Sequence, residues 1–171
     1  MNYGKIKTFA VKDTTVNVII ETPKGSRNKY ALNPNTQIFE LNKILPVGAV
    51  FPFNFGFIPR TLAGDGDPLD IIVIMDEASF TGCFLRARVL GVIEATQTEN
   101  GKPVRNDRII GVPEDEEIEN DLRTLQDLHE NVVKEIESFF VSYHAQRGVE
   151  FKPLGVGGPK AAIKIIKEAR R

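Results

Sequence analysis

The acidic hexapeptide at 65–70, Asp-Gly-Asp-Pro-Leu-Asp, constrains the fold of this chain more than any other stretch. Its glycine and its proline favour a turn. The run that follows, 71–75, is short, uncharged and rich in β-branched residues, and this pattern predicts a buried strand. Such a strand would hold Asp70 at its start and leave Asp65 and Asp67 on the loop that precedes it.

Three carboxylates in so short a turn repel one another. At about 4 Å each like-charge pair costs about 4 kcal/mol at an effective dielectric constant near 20. Protonation, basic neighbours or a hard cation such as Mg²⁺ would offset that cost. An ordinary solvated turn also explains the hexapeptide taken alone. An EF-hand loop does not, because that loop needs glycine where this chain has Asp70 and glutamate where it has Asp76.

Length and charge favour a small globular protein. The 171 residues suit one domain, 1–171, with its own core, and the net charge of −1 gives no reason to expect nucleic acid or a membrane surface as a partner. Cys83 is the single cysteine, so no disulfide framework can form within the chain. The N-terminus lacks the apolar run of a signal peptide, and no apolar stretch approaches the about 18 residues of a membrane-spanning helix. We therefore expect a cytoplasmic protein.

The first two thirds of the sequence alternate between strand and turn patterns. The dipeptide Asn100-Gly101 is a strong hairpin signal. The phenylalanine-rich segment 51–59 carries two prolines, which argue against a central strand. Strands are predicted at 16–21, 28–32, 37–41, 71–75, 82–94 and 105–112.

The last third changes to a helical period. Apolar residues recur every three or four positions within 128–147, which predicts a helix ended by Gly148, followed by a flexible loop at 155–158. Pro159 then begins a last helix. We expect an α+β fold, in which an antiparallel OB-like β-barrel, closed or half-closed, carries two C-terminal helices packed on one side.

The acidic hexapeptide and four further segments resemble the family I soluble inorganic pyrophosphatases. The hexapeptide with Ile71 fits the signature DGDPxD followed by an apolar residue. The other segments occur in the same order and spacing as in the family, so the resemblance covers most of the chain: Ile20-Glu21-Thr22-Pro23, Asn28-Lys29-Tyr30, Pro52-x-Asn54-x-Gly56-x-Ile58 and Phe139-Phe140-x-x-Tyr143.

The resemblance implies hydrolysis of pyrophosphate to two phosphates with Mg²⁺ in a barrel pocket. Pyrophosphate is strongly anionic, so bound Mg²⁺ would neutralise it and lower the pKa of a water molecule, while basic side chains stabilise the transition state. By resemblance, Asp67 accepts the proton of the attacking water, and Asp65 and Asp70 hold the metal with support from Glu21 at the rim. Substrate oxygens would be bound by Lys29, Lys43, Arg108 and Tyr143. Family members form oligomers, and the short chain favours a homo-hexamer.

Several substitutions distinguish the expected pocket from the family pattern. Three family carboxylates are replaced, by Ala31, Gln97 and Asn106, although the carbonyl oxygen of Asn106 can still ligate a metal without supplying charge. Alternation along a strand turns Asp107 away from the pocket if Arg108 faces it, unless a bulge intervenes. Glu99 is another candidate replacement. The remaining changes are Lys43 for Arg, Phe51 and Phe55 for Tyr, and Arg108 and His144 for Lys.

Four carboxylates remain, and they could hold one or two Mg²⁺ ions. We therefore expect reduced or altered pyrophosphatase activity. Two alternatives stay open: hydrolysis of another small phosphoanhydride, and a catalytically silent paralogue that binds phosphate compounds or a partner. Taken without the resemblance, Lys29 and Lys43 could be surface lysines. Tyr143 could be a core aromatic residue, and His144 either a surface histidine or a carrier of part of the lost positive charge at low pH.

Overall fold

The computed structural model describes residues 3–10, 13–114 and 121–171. These residues form short 3₁₀ turns at Tyr3–Lys5 and Leu125–Asp127. The longer elements, in chain order, are β1 (Thr15–Thr22), β2 (Asn28–Asn33), β3 (Ile38–Ile44), β4 (Asn54–Phe57), β5 (Asp70–Val73), β6 (Phe84–Glu99), β7 (Lys102–Arg105), β8 (Arg108–Pro113), α1 (Val132–Ala145), β9 (Phe151–Gly157) and α2 (Pro159–Ala169).

Five strands form a closed ring in the order β1-β4-β5-β8-β6, and β6 pairs again with β1. The long strand β6 also carries β7 and β9, while β2 and β3 form a separate two-stranded sheet. The sheet is mostly antiparallel, as predicted, but β5 and β8 run parallel. Parallel pairing requires a long crossover connection, and here β6 and β7 supply it.

The two helices lie on opposite faces of β5 and β8, so the prediction that they pack on one side is wrong. The alternating side chains of these strands belong to two separate core clusters. The cluster under α1 includes Ile72, Ile110 and Val112 from the strands with Ile136, Phe140 and Tyr143 from the helix. The cluster under α2 includes Ile71, Val73 and Ile109 with Ala162 and Ile166. Strands β1 and β6 also contribute residues to this second cluster.

Most of the predicted elements are present. The run after the acidic hexapeptide is the buried strand β5, and the turn between β6 and β7 has positive φ at Asn100 and Gly101. The segment 51–59 differs from its prediction, because β4 lies between β1 and β5. Pro52 and Pro59 fall just outside the paired residues, so they remove no hydrogen bond from the sheet. A Cβ on Gly56 would stand 2.1 Å from the Ile19 carbonyl oxygen, which explains the glycine.

Three further boundaries differ from the predictions. The predicted flexible loop at 155–158 largely belongs to strand β9, which pairs with β6, and its two glycines and Pro153 had masked the strand pattern. The predicted strand 105–112 is divided between β7 and β8, with Asn106 and Asp107 in the gap. Helix α1 begins at Val132 rather than near 128. Among the described residues, no helix is both long enough and apolar enough to span a membrane.

Candidate active site

A cavity of about 360 Å³ lies beside α1 and opens between the β2–β3 hairpin and the loop before β5. It is lined by Glu21, Lys29, Asp65, Asp67, Asp70, Asn106, Arg108 and Tyr143, which are eight of the nine residues singled out from the sequence. The ninth, Lys43, is the cross-strand partner of Lys29. The structure therefore brings together residues that are as much as 122 positions apart in the sequence, from Glu21 to Tyr143.

The acidic loop is built to present Asp67 to the cavity. Gly66 has φ +91°, a conformation that suits glycine, and the Asp67 amide donates a hydrogen bond to Asp65 Oδ1 at 3.2 Å. Behind the turn, the Leu69 amide donates to Thr61 Oγ1 at 2.9 Å, and Leu69 is buried. With its neighbours anchored in this way, the side chain of Asp67 is left exposed at the cavity wall.

Asp70 and Arg108 form an ion pair at the inner end of the cavity. They are register partners in the parallel pair β5–β8, so both side chains leave the same face. Arg108 Nη1 lies 2.7 Å from Asp70 Oδ2, and the side chains are only 3% and 22% exposed. Burial raises the pKa of Asp70, while the charges of Arg108 and Lys29 act in the opposite direction. The guanidinium also lies over the Phe140 ring, with Cζ 4.6 Å from its centroid.

Glu21 stands at the end of β1, where a bulge interrupts the pairing with β4. Its Oε1 accepts a hydrogen bond from the Leu32 amide at 2.8 Å. Burial raises the pKa of Glu21 to about 7, and the charges of Asp70 and Asp67 add to this effect. Burial also raises the pKa of Asp65. The carboxylates thus share a site in which a bound cation would relieve both desolvation and mutual repulsion.

Basic residues lie in and beside the same cavity. The Nζ atoms of Lys29 and Lys43 each lie 5.7 Å from the centre of the Tyr143 ring. Partial burial lowers the pKa of Lys43, and the nearby charges of Arg147 and Lys29 lower it further. Arg147, which also lines the cavity, was not singled out from the sequence. Its position four residues after Tyr143 could have identified it, because side chains at this spacing lie next to each other at the end of a helix.

Tyr143 and His144 are both buried against the cavity. The Tyr143 hydroxyl has no hydrogen-bond partner among the described residues, so a donor and acceptor is left available at this wall. His144 is not a surface histidine, because it is only 4% exposed. Its Nδ1 is 2.8 Å from the Phe140 carbonyl oxygen, which can only accept, so Nδ1 carries the proton. Burial lowers the pKa of His144 to about 4, which favours the neutral ring at neutral pH.

The gap between β7 and β8 places Asn106 and Asp107 on different sides. Asn106 Nδ2 donates a hydrogen bond to Gln97 Oε1, and Asn106 Oδ1 accepts one from Arg108 Nη1. Because Asn106 Oδ1 already accepts from the Arg108 guanidinium, ligation of a metal by this oxygen would have to displace that contact, and it stays a prediction. Asp107 points away, with its Oδ1 accepting from the Ala95 amide at 2.9 Å. The side chain of Glu99 lies outside the described residues.

The carboxylates suit Mg²⁺ in chemistry but do not enclose it. Within the described part of the chain, no group of three or more His, Cys, Asp or Glu side chains could by itself hold a metal ion. Asp70 is paired with Arg108, and Glu21 accepts from a backbone amide. Mg²⁺ commonly keeps several waters and binds one or two carboxylates together with substrate phosphates. The residues present fit a cation of that kind, and a closed cage of protein ligands is not required.

Comparisons with known proteins agree with this geometry. The family model described as inorganic pyrophosphatase matches residues 18–171. The inorganic pyrophosphatase of Geobacillus stearothermophilus is 35% identical over 94% of this chain and 94% of its own length. Among solved structures, an inorganic pyrophosphatase from Neisseria gonorrhoeae superposes with a TM-score of 0.89 at 34% identity, covering 99% of this chain and 96% of the other.

The structure from Thermus thermophilus gives a similar result, with a TM-score of 0.88, 29% identity and coverage of 99% and 97%. The family match covers nearly the whole chain, and the relatives align almost end to end. The chain therefore belongs to the inorganic pyrophosphatase family, hydrolases that act on the phosphoanhydride bond of pyrophosphate.

Proposed function

We propose that this protein hydrolyses pyrophosphate to two phosphates and requires Mg²⁺ to do so. The observation that carries the proposal is that two sets of side chains line one cavity: the carboxylates of Asp65, Asp67 and Asp70, here called the acidic wall, and the basic groups of Lys29 and Arg147, here called the basic wall. A dianionic or more highly charged substrate between these walls would need cations on both sides. The basic residues supply them on one side, and a metal ion would supply them on the other.

The basic wall binds and orients the substrate in this proposal. Lys29, Lys43 and Arg147 would neutralise the phosphoryl oxygens, and the charge that spreads over these oxygens in the transition state strengthens the interaction. The Tyr143 hydroxyl, which is buried and has no hydrogen-bond partner in the described part of the chain, would donate a hydrogen bond to one of them. Phe51 and Phe55 also line the cavity and contribute apolar surface to it.

The acidic wall would bind the metal and accept the proton. Asp65, Asp70 and Glu21 would hold Mg²⁺, which when bound supplies charge neutralisation of the substrate and lowers the pKa of a water molecule. Asp67 Oδ takes a proton from the attacking water. At the same time the water oxygen bonds to phosphorus, and the bond from that phosphorus to the bridging oxygen breaks. Asp67 is suited to that role because it is the exposed carboxylate of the loop and lines the cavity.

The carboxylate losses support a reduced or altered activity. Ala31 and Gln97 line the cavity without charge, and Asn106 is engaged with Arg108. We propose that fewer Mg²⁺ ions bind, one or two, and that they bind less tightly. A second candidate substrate, an organic phosphoanhydride, is favoured by the apolar surface that Phe51, Phe55 and Phe57 contribute to the cavity.

Several broader features are proposed on the same basis. We take residues 1–171 as one domain and the five-strand ring as an OB-like barrel. A homo-oligomer, a hexamer by family resemblance, is supported by exposed apolar side chains such as Val47, which is 88% exposed, and Ile38, which is 62% exposed. Light scattering on the purified protein tests the oligomeric state. A cytoplasmic location is supported by the single cysteine, Cys83.

Initial rates of phosphate release from pyrophosphate across a Mg²⁺ titration test the proposal. The wild-type protein should be active only with added Mg²⁺, and Asp67→Asn should lose at least about a hundredfold in kcat, the usual contribution of a general base. Asp76→Asn is the matched control, because Asp76 is exposed and does not line the cavity. Equal rates for Asp67→Asn and wild type would refute the assignment of Asp67. Hydrolysis of an organic phosphoanhydride but not of pyrophosphate would favour the second candidate.

A further inference from the structure

A chain of polar contacts at the inner end of the cavity connects Asp70, a proposed metal ligand, to three side chains that the catalytic proposal does not use. It runs from Gln97 through Asn106 and Arg108 to Asp70. Asn106 Nδ2 donates to Gln97 Oε1, and Asn106 Oδ1 accepts from Arg108 Nη1. The same Nη1 is 2.7 Å from Asp70 Oδ2. Gln97, Asn106 and Arg108 are at most 9% exposed, so water competes little for these contacts.

The direction of each contact is determined by chemistry. The amide of Asn106 has one donor end and one acceptor end. Because Gln97 offers its carbonyl oxygen to the donor end, the acceptor end faces the guanidinium. Arg108 Nη1, which carries two hydrogens, also lies 3.2 Å from the backbone oxygen of Asn106 and 3.1 Å from that of Asp107, so these carbonyls share the same two donors. The guanidinium is therefore fixed against Asp70 by groups on one side and by the Phe140 ring on the other.

We infer that Gln97 and Asn106 are positioning residues that hold the Arg108 guanidinium against Asp70. The guanidinium then competes with Mg²⁺ for this carboxylate and sets the Mg²⁺ affinity of the pocket. The inference rests on the proposed function only in taking Mg²⁺ as the ion bound. Two positions where the family pattern has carboxylates carry amides here. These amides do more than reduce negative charge, because they orient a positive group toward a remaining carboxylate.

Isothermal titration of metal-free protein with MgCl₂, without pyrophosphate, tests the competition. Arg108→Met removes the competing charge and should bind Mg²⁺ at least about tenfold more tightly, since a unit charge at contact distance is worth this much or more. Asn106→Asp, a change of nearly equal shape, adds a carboxylate beside Arg108 and should also tighten binding. No tightening in either variant, with the fold intact by circular dichroism, would overturn the competition.

Two uncharged substitutions test the positioning. Asn106→Leu and Gln97→Leu leave the cavity charge unchanged but release Arg108. Each should tighten Mg²⁺ binding by about two- to tenfold, the equivalent of one hydrogen bond. Because the two residues act in one chain, the double variant should gain less than the product of the two effects. Asn131→Leu is the control, since Asn131 is exposed at the start of α1 and its side chain makes no capping hydrogen bond.

A metal-independent measurement completes the test. In ¹⁵N-labelled protein, the protected guanidinium NH signals of Arg108 should be visible in the wild type and lost in Asn106→Leu and Gln97→Leu. Unchanged Mg²⁺ affinities and unchanged Arg108 signals in both leucine variants would overturn the positioning role. The outcome is separable from the proposed function. Shifts in Mg²⁺ affinity without any pyrophosphate hydrolysis would refute the activity alone, and hydrolysis with unshifted affinities would refute the inference alone.

Discussion

Lowering the pH should destabilise this protein through His144 at pH values where most surface carboxylates are still ionised. His144 is buried beside the Phe151 ring, with the two ring centres 4.8 Å apart, and it donates from Nδ1 to the Phe140 carbonyl. Burial lowers its pKa from 6.5 to about 4. Between these two values the unfolded chain binds a proton at this site that the folded protein does not. The stabilisation is therefore complete above about pH 6.5 and is lost as the pH falls to about 4.

The size of the loss follows from the two pKa values. Each pKa unit is worth about 1.36 kcal/mol, so the fall from 6.5 to about 4 corresponds to about 3 kcal/mol of unfolding free energy. A protein of this size has a typical total of about 5–15 kcal/mol, so the loss is easily measured. The assay is urea unfolding of the wild type and of His144→Phe at half-unit steps between pH 4 and pH 8.

The difference in unfolding free energy between the two proteins isolates this histidine, because carboxylates titrate in both. We expect the difference to be constant above about pH 6.5 and to move by about 3 kcal/mol in favour of the variant on going to pH 4. His129, the second of the two histidines, is exposed and provides the control variant His129→Gln. A difference that does not change with pH, or a proton NMR titration placing the pKa of His144 near 6.5, would refute the reasoning.

Two other predictions follow from named contacts. Arg147→Gln should raise the KM for pyrophosphate by about two- to tenfold with little change in kcat. The effect is modest because Arg147 lines the cavity but is exposed to solvent. The exposed Arg171→Gln is the control, and a KM for Arg147→Gln that equals that of the control would contradict the role of Arg147 in binding. Asn54→Ala should lower the unfolding free energy by about 2–3 kcal/mol. The buried Asn54 side chain accepts hydrogen bonds from the Lys24 and Ser79 amides and donates one to the Glu77 carbonyl. A loss below about 0.5 kcal/mol in urea unfolding would contradict this prediction.

The sequence predicted the acidic turn and the strand after it well because their signals are local. A glycine and a proline set the turn at 65–70, and β-branched residues define the strand that follows. The helical stripe of α1 and the proline at the start of α2 are local in the same sense. Each of these patterns depends on neighbours within a few positions, so no knowledge of the tertiary structure is needed.

Other features depend on contacts between distant segments. The parallel pairing of β5 with β8 and the addition of β9 to β6 are set by tertiary packing, and glycines and Pro153 concealed the strand pattern of β9. The burial of His144 requires β9 to place Phe151 against it. The hydrogen-bond partners of Asn106 could not be predicted from the sequence for a related reason, since the groups that contact its amide come from β6 and β8.

The most direct test of the central claim is ³¹P NMR of pyrophosphate incubated with the purified protein, Mg²⁺ and ¹⁸O-labelled water. We expect the pyrophosphate signal to be replaced by two phosphates for each pyrophosphate consumed, with one labelled oxygen in one of the two, and we expect no turnover without Mg²⁺ or with Asp67→Asn. A pyrophosphate signal that stays unchanged in the folded wild-type protein at every Mg²⁺ concentration would contradict the proposed activity.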